Sequence, residues 1–421
     1  MANKNISSPT AERIFRAWER EGRAEKARTY LGASSIGHEC EMFLWLGFRG
    51  AFHELFSGRM YRLFNRGQRE EAVFCDDLRK IGCEVRETDP ETGAQFAVSD
   101  LGGHFGGHLD GICRGLAEAP KQWFVTEFKT HSSASFKKLV KEGVRSAKPM
   151  HFAQMQVYMG KTGLAKALYM AVDKDTDDLW CEIVDFDRAT YERYMARAKH
   201  IVDTARPERC ASRPDDWRCK ACAAHALCWH EHREIVSPDV PLTCRTCCHA
   251  SAVTDGDGAR WECAKGKCCA NGKCDGFLLL PTFVNAEITD GSPDSISFVK
   301  NGHAFTMGRG GFTAEELQKM SPEAVDAVAR ISEEIPGATP VANNYLEDSY
   351  AKRPGFSRYD MGPSEKLREW CAANPFFDWA KPVRKNISGD VSYFEYENGE
   401  DALLVCTTPR DAWIYTNLPP F

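Results

Sequence analysis

The chain has 421 residues, of which 43% are hydrophobic and 27% charged, with a net charge of −6; this length and composition suit two or three globular domains. The acidic balance excludes a uniformly basic nucleic-acid coat, but not a local basic groove, because phosphate contacts are local. Met1-Ala2-Asn3-Lys4-Asn5-Ile6 lacks the apolar core of a secretory signal, and no apolar run reaches the ~18 residues of a membrane span. The expectation is a soluble cytoplasmic protein with no membrane partner, in which disulfides are disfavoured.

In chain order, Ser8-Pro9 opens an amphipathic helix running to about Arg28, and a short apolar helix follows Cys40. A longer helix spans about Ser57 to Ile81. Strands are expected near Cys83–Thr88, Ala94–Ser99, His104–Cys113 and Gln122–Thr130, where aromatic and β-branched residues lie between turn formers. Helices follow at about Ser133–Glu142 and Pro149–Lys161. Strands near Ala165–Val172 and Leu179–Phe186 then lead into a helix from about Ala189 to Ala205. This order predicts an α/β fold with a mixed central sheet flanked by helices.

Three segments of that region carry chemistry. Gly107-His108-Leu109-Asp110-Gly111 is followed by Glu127-Phe128-Lys129-Thr130, and then by Gln154-Met155-Gln156-Val157-Tyr158. Residues two apart on a strand share a face, so Glu127 and Lys129 project together toward whatever Asp110 faces. Gln154 and Tyr158, four apart on a helix, also share a face. Two carboxylates hold a hard divalent cation such as Mg²⁺ or Mn²⁺ through oxygen. The backbone carbonyl of Phe128 is a candidate third ligand. A lysine beside them lowers the pKa of an attacking water or offsets charge on a phosphate.

These residues resemble the PD-(D/E)xK nuclease superfamily, specifically its RecB-like branch, with a restriction-endonuclease-like core. The resemblance implies that Asp110 and Glu127 bind metal, that Lys129 is catalytic, and that Gln154 and Tyr158 organise the site and contact DNA. Many relatives carry His four residues after a Gly on the first long helix. Here Gly67 is followed at that spacing by Glu71, as in phage-type recombination exonucleases. Glu71 is therefore a candidate metal ligand, with Glu70 as the fallback and a plain surface carboxylate as the alternative. The implied substrate is DNA, single-stranded or an end-bearing duplex, in a bacterial or phage-infected cell. The implied protein partners belong to recombination or CRISPR adaptation.

Eighteen cysteines are many for an intracellular chain, and clustered cysteines point to metal. Cys219, Cys222 and Cys228 form a C-x2-C-x5-C, and Cys40 follows Ser34-Ser35-Ile36-Gly37 far upstream. This pair of segments resembles the iron–sulfur branch of the RecB-like nucleases, which includes AddB and the CRISPR-adaptation exonucleases. The resemblance implies a [4Fe–4S] cluster on these four thiolates, acting as a clasp between the N-terminal helices and the far end of the nuclease domain. Zinc on the same four cysteines is the alternative. Cys210 and His225 are nearby spare ligands, read as structural.

A second cluster comprises Cys244, Cys247, Cys248, His249, Cys263, Cys268, Cys269 and Cys274, with the turn Thr254-Asp255-Gly256-Asp257-Gly258 between its halves. It has the layout of a small zinc ribbon, in which Zn²⁺ supplies folding energy that so short a segment cannot bury. The ligand set expected is Cys244, Cys247, Cys263 and Cys274, with Cys268, Cys269, Cys248 and His249 competing for the last place.

The domains expected are therefore 1–238, a nuclease domain; 239–284, a zinc-ribbon-like module; and 285–421, an α+β domain that resembles no family. In the last, Gly308-Arg309-Gly310-Gly311 is a loop, Thr313 to Glu316 has the look of a capping box, and Ser392–Glu397 and Ala402–Thr407 alternate like a strand pair. Lys137, Lys138, Lys141, Arg145 and Lys148 form either a DNA-facing cluster or a solvated helix face. The function expected is a metal-dependent DNA exonuclease that processes ends. The alternative is a catalytically silent DNA-binding or regulatory protein that keeps the fold.

Overall fold

The computed structural model describes residues 8–25, 28–266, 274 and 276–322 in full, together with the backbone of five strands between 339 and 416. It divides into two compact units. One comprises Met1–Cys228 with Ala250–Cys268, and the other Trp229–His249 with Cys269–Phe421.

In the first unit, α1 (Pro9–Ala24) starts where Ser8 Oγ accepts the Ala11 N–H, with proline in the first turn. It packs on α3 (Gly58–Lys80). A side chain at Gly22 would run into Tyr61, and one at Gly58 into the Phe15 backbone, so glycine permits the approach. Between them lie β1 (Leu31–Gly32) and the apolar α2 (Glu41–Phe48), which Cys40 precedes as N-cap. Trp45 is fully buried, and its Nε1–H donates to the Thr204 carbonyl at 2.9 Å.

The central sheet has five strands in the order β2 (Glu84–Arg86), β5 (Gly111–Arg114), β6 (Trp123–His131), β7 (Lys166–Asp173) and β8 (Leu179–Asp185). Only β6 and β7 run parallel; the other pairs are antiparallel. On one face, Phe74 and Leu78 of α3 bury Phe124, Phe128, Leu168 and Met170. On the other lie α4 (Ser133–Ala147) and α5 (Pro149–Thr162): His151 of α5 reaches Tyr169, and Val144 of α4 reaches Glu182. α4 kinks at Gly143 (φ +73°), and both Glu182 carboxylate oxygens accept the Val144 N–H that follows. α6 (Arg188–Asp203) closes the unit, capped by Asp187, whose carboxylate accepts from Thr190 N. The expected class, a mixed sheet flanked by helices, is the one observed.

One expectation is corrected. His104–Cys113 is not one strand but two strands in different sheets. β4 (Phe105–His108) lies between β1 and β3 (Ala97–Asp100) in a separate three-stranded sheet, and β5 belongs to the central one. Glycine explains the divergence: a side chain at Gly106 would stand 2.4 Å from the Val98 carbonyl, and one at Gly111 (φ +155°) 2.8 Å from that of Arg86. Leu109 and Asp110 are left at the crossing between the sheets.

The hairpin of β9 (Ala250–Ala252) and β10 (Trp261–Cys263) falls in the first unit. The reason is packing. Trp261 stacks on Phe48 with ring centroids 5.5 Å apart, and His104 Nε2–H donates to the Arg260 carbonyl at 2.8 Å. Of the four cysteines expected to hold zinc, Cys263 falls in the first unit, and Cys244, Cys247 and Cys274 fall in the second.

The second unit holds an antiparallel sheet of β11 (Glu287–Gly291), β12 (Ser295–Lys300) and β13 (His303–Gly308). Phe298, Met307, Leu279 and Phe283 are buried there. A short helix, Ala314–Leu317, carries the expected capping box between Thr313 and Glu316. The expected strand pair near 392–407 is present as Val391–Glu395 against Ala402–Cys406. Residues 268 and 269 lie outside the described residues.

Candidate active site

Glu127, Lys129 and His131 occupy one face of β6. Phe124 and Phe128 point the other way into the α3 core, which anchors the strand. Glu127 is completely buried, and its Oε2 has no hydrogen-bond partner among the described residues. Its compensation is the Lys129 ammonium, with Nζ 2.5 Å from Glu127 Oε1.

Asp110 arrives from the sheet crossing. Its Oδ2 accepts the Phe128 N–H at 2.8 Å and lies 3.7 Å from Lys129 Nζ. The Phe128 carbonyl accepts from Lys129 Nζ at 2.9 Å, so the candidate third ligand is already turned into this cluster. Glu71 of α3 completes the group electrostatically. Burial and the Asp110 charge push its carboxyl up to about 7. Burial likewise pushes Glu127 up to about 7; Lys129 opposes the shift, and Asp110 and Glu71 add to it. Burial acts to lower the Lys129 ammonium, but Glu127, Asp110 and Glu71 outweigh it and hold the lysine charged.

Gln154 and Tyr158 are buried on α5, facing the same group. The Tyr158 hydroxyl donates to the His108 carbonyl at 2.7 Å, and Gln154 Nε2–H donates to that hydroxyl at 3.4 Å. These bonds fix the end of β4 two residues before Asp110. They are organising contacts.

Sequence reasoning missed the continuation of the strand pattern to His131. Its Nε2 pairs with the Tyr169 hydroxyl at 2.9 Å, and His151 Nδ1 pairs with the same hydroxyl at 2.8 Å. Burial, then Lys148 and Lys129, press His131 down to about 4, so it is neutral at ordinary pH. The period-two run Glu127, Lys129, His131 is the signal that would have found it. The lysine cluster on α4 is partly absorbed: Lys138 pairs with Glu142, Arg145 with Asp187, and Lys148 Nζ donates to Ser135 Oγ.

Cys40, Cys210, Cys219, Cys222 and Cys228 share one neighbourhood and form no disulfide with one another. Burial and the adjacent Cys40 and Cys219 thiols push Cys210 up to about 12. Cys228 is raised by burial against the pull of Arg209, whose Nε–H donates to its sulfur at 3.3 Å. The thiols are neighbours rather than closed on one point: among the described residues, no three His, Cys, Asp or Glu side chains are arranged to hold a metal ion. The Cys40 segment is also tied down independently. Arg197 of α6 donates to Glu41 Oε1 and to the carbonyls of Ile36 and Glu39. In the second unit, Cys248 N–H donates to the Leu278 carbonyl at 2.7 Å, and Cys247 pairs with Leu279 as a β-bridge.

Fold and site together define a mixed α/β protein with a buried carboxylate–lysine cluster on its central sheet. No family model and no curated protein matches the sequence. Among solved structures, the crystal structure of SSO0001 is similar at 14% identity over 52% of this chain and 96% of that one, with a TM-score of 0.32. The crystal structure of LHK-Exo in complex with dAMP is similar at 17% identity over 45% and 90%, with a TM-score of 0.32. That of an alkaline exonuclease (LHK-Exo) from Laribacter hongkongensis is similar at 18% identity over 45% and 90%, with a TM-score of 0.30. Among the described residues, no helix is long and apolar enough to cross a membrane.

Proposed function

We propose that the chain is a metal-dependent deoxyribonuclease that removes nucleotides from DNA ends. The observation that carries this reading is Glu127, a fully buried carboxylate whose close partner among the described residues is the Lys129 ammonium, set beside Asp110 and Glu71. Burying several acids against a single cation costs free energy unless further positive charge arrives. Asp110, Glu127 and Glu71, with the Phe128 carbonyl beside them, supply the oxygen donors that a hard cation takes, and would have to draw together onto it on binding. Mg²⁺ or Mn²⁺ bound there would polarise a phosphoryl oxygen and acidify a water. Lys129, held charged by its neighbours, would offset the negative charge that builds on the phosphate, and is not poised to take a proton. Tyr158 and Gln154 would keep Asp110 in place through the His108 carbonyl.

The test is cleavage of end-labelled single- and double-stranded DNA with Mn²⁺ or EDTA. Asp110→Asn, Glu127→Gln and Lys129→Met should each lower the rate by about 10²–10³ or more while DNA binding persists. Wild-type rates in any of the three would refute the assignment, and the silent DNA-binding alternative would then stand.

We further infer a thiolate centre at Cys40, Cys219, Cys222 and Cys228, an iron–sulfur cluster or zinc. The shared neighbourhood of these thiols supports it. Zinc on the second cysteine cluster rests on residue chemistry alone. End processing in phage recombination or in CRISPR adaptation is the biological setting this reading favours.

A further inference from the structure

The first half of α3 carries Arg59, Arg62, Arg66 and Arg69. Steps of three, four and three residues place them along one stripe of the helix, about 15 Å long at 1.5 Å per residue. All four are exposed, and with Leu63 they line a cavity of about 370 Å³. From Gly58 to Arg69 the helix contains no aspartate or glutamate, and among the described residues none of the four guanidinium groups has an ion-pair partner.

Elsewhere in the same unit, several helical cations have ion-pair partners. Further along α3, Arg79 pairs with Asp76 and Glu87, and Lys80 with Asp77. α1 repeats the spacing with Arg13, Arg16, Arg20 and Arg23, but interleaves Glu12, Glu19 and Glu21, and there Arg16 pairs with Glu12 and Arg23 with Glu19. In a chain of net charge −6, four adjacent unneutralised arginines are a local reversal. The stripe also lies close to the carboxylate–lysine cluster. Arg66 Nη2–H donates to the Lys174 carbonyl at 3.2 Å, and Lys174 N–H donates to the carbonyl of His131, two residues beyond Lys129.

We propose that this stripe is a track for the sugar-phosphate backbone of the strand handled at the carboxylate–lysine site. The inference rests on reading that site as a nuclease. A planar guanidinium matches phosphate with two parallel hydrogen bonds, and a row of them holds a backbone without regard to base sequence.

The experiment measures binding of fluorescent oligo-deoxythymidylate to the full chain in EDTA, as a function of salt. Each phosphate of a single strand that the protein ceases to neutralise lowers the slope of log K against log salt by roughly 0.7, so changing all four arginines to glutamine should lower it by roughly 2–3. Arg→Lys at the same four positions should keep most of the slope, which separates charge from folding. Arg79→Gln with Lys80→Gln, also exposed but paired in the native helix, should leave it unchanged. Hydrolysis of bis(p-nitrophenyl) phosphate with Mn²⁺ should survive the stripe variants, because so small an ester does not reach the track. Unchanged affinity and slope in the quadruple glutamine variant would overturn the proposal and leave an acidic protein as the occupant of the stripe. A wild-type chain that hydrolyses neither DNA nor the small ester would overturn the nuclease reading, while binding in EDTA would still decide the track.

Discussion

Replacing Glu71 with glutamine should make the metal-free protein more stable at alkaline pH, although it removes a candidate ligand. In the folded chain this carboxyl titrates near 7, against an ordinary value of 4.5, because burial and Asp110 both disfavour its charge. A raised carboxyl favours the fold in its protonated form. The penalty is therefore absent below the ordinary value, grows as pH rises from 4.5 to 7, and is complete above that. At 1.36 kcal/mol per tenfold change in proton affinity, the full penalty would be about 3 kcal/mol. Glu71 is only partly buried, and discounting for solvent screening leaves about 1 kcal/mol. For a unit of this size, that is about 2–4 °C in melting temperature. The assay is thermal unfolding in EDTA, watched by near-ultraviolet circular dichroism, at about pH 8 and about pH 4. Glu71→Gln should melt above wild type at the higher pH and level with it at the lower. The same variant should need more Mn²⁺ for half-maximal cleavage. Equal melting at both pH values, with an unchanged metal titration, would refute the reasoning and make Glu71 a plain surface carboxylate.

Other expectations follow from the same geometry. Tyr158→Phe strips the His108 carbonyl of its 2.7 Å donor and should cost about 0.5–1.5 kcal/mol in denaturant unfolding, with cleavage falling because Asp110 loses its brace; full activity at lower stability would make the bond purely architectural. Anaerobically purified protein should be brown, with broad absorbance near ~400 nm. Serine at Cys40, Cys219, Cys222 or Cys228 should bleach it; two zincs and no iron would exclude the cluster, and a brown Cys40 variant would pass the fourth place to Cys210. Because Arg197 already ties the Cys40 segment to α6, the Cys40 variant should melt only modestly lower.

Much of the site was legible because its elements advertise themselves locally. Trp123 to Thr130 alternates with aromatic and β-branched residues, so the strand and the shared face of Glu127 and Lys129 follow from its period. Gln154 and Tyr158 fall one helical turn apart in an unbroken apolar helix. What escaped depends on partners distant in sequence. Gly106, Gly107 and Gly111 have no side chains to declare a face, so nothing local shows that the chain leaves one sheet for another at Asp110. Trp261 reads as a ribbon residue until Phe48 is found beneath it. The α3 arginines look like any solvated face: the lack of acids between Gly58 and Arg69 is legible in the sequence, but the lack of counter-charges from other elements shows only in three dimensions.

The crossing at Leu109 and Asp110 makes this part of the chain intolerant of length change. β4 is registered against β3 and β5 against β6, with two residues between them. One residue added there would turn Asp110 to the opposite face or slip β5 past Thr126 and Val125, since strand faces alternate with every residue. The turn from Asp89 to Ala94 carries no such constraint. Lineages of this protein should therefore vary in length around residue 92 and stay invariant in length, whatever their substitutions, between Phe105 and Arg114.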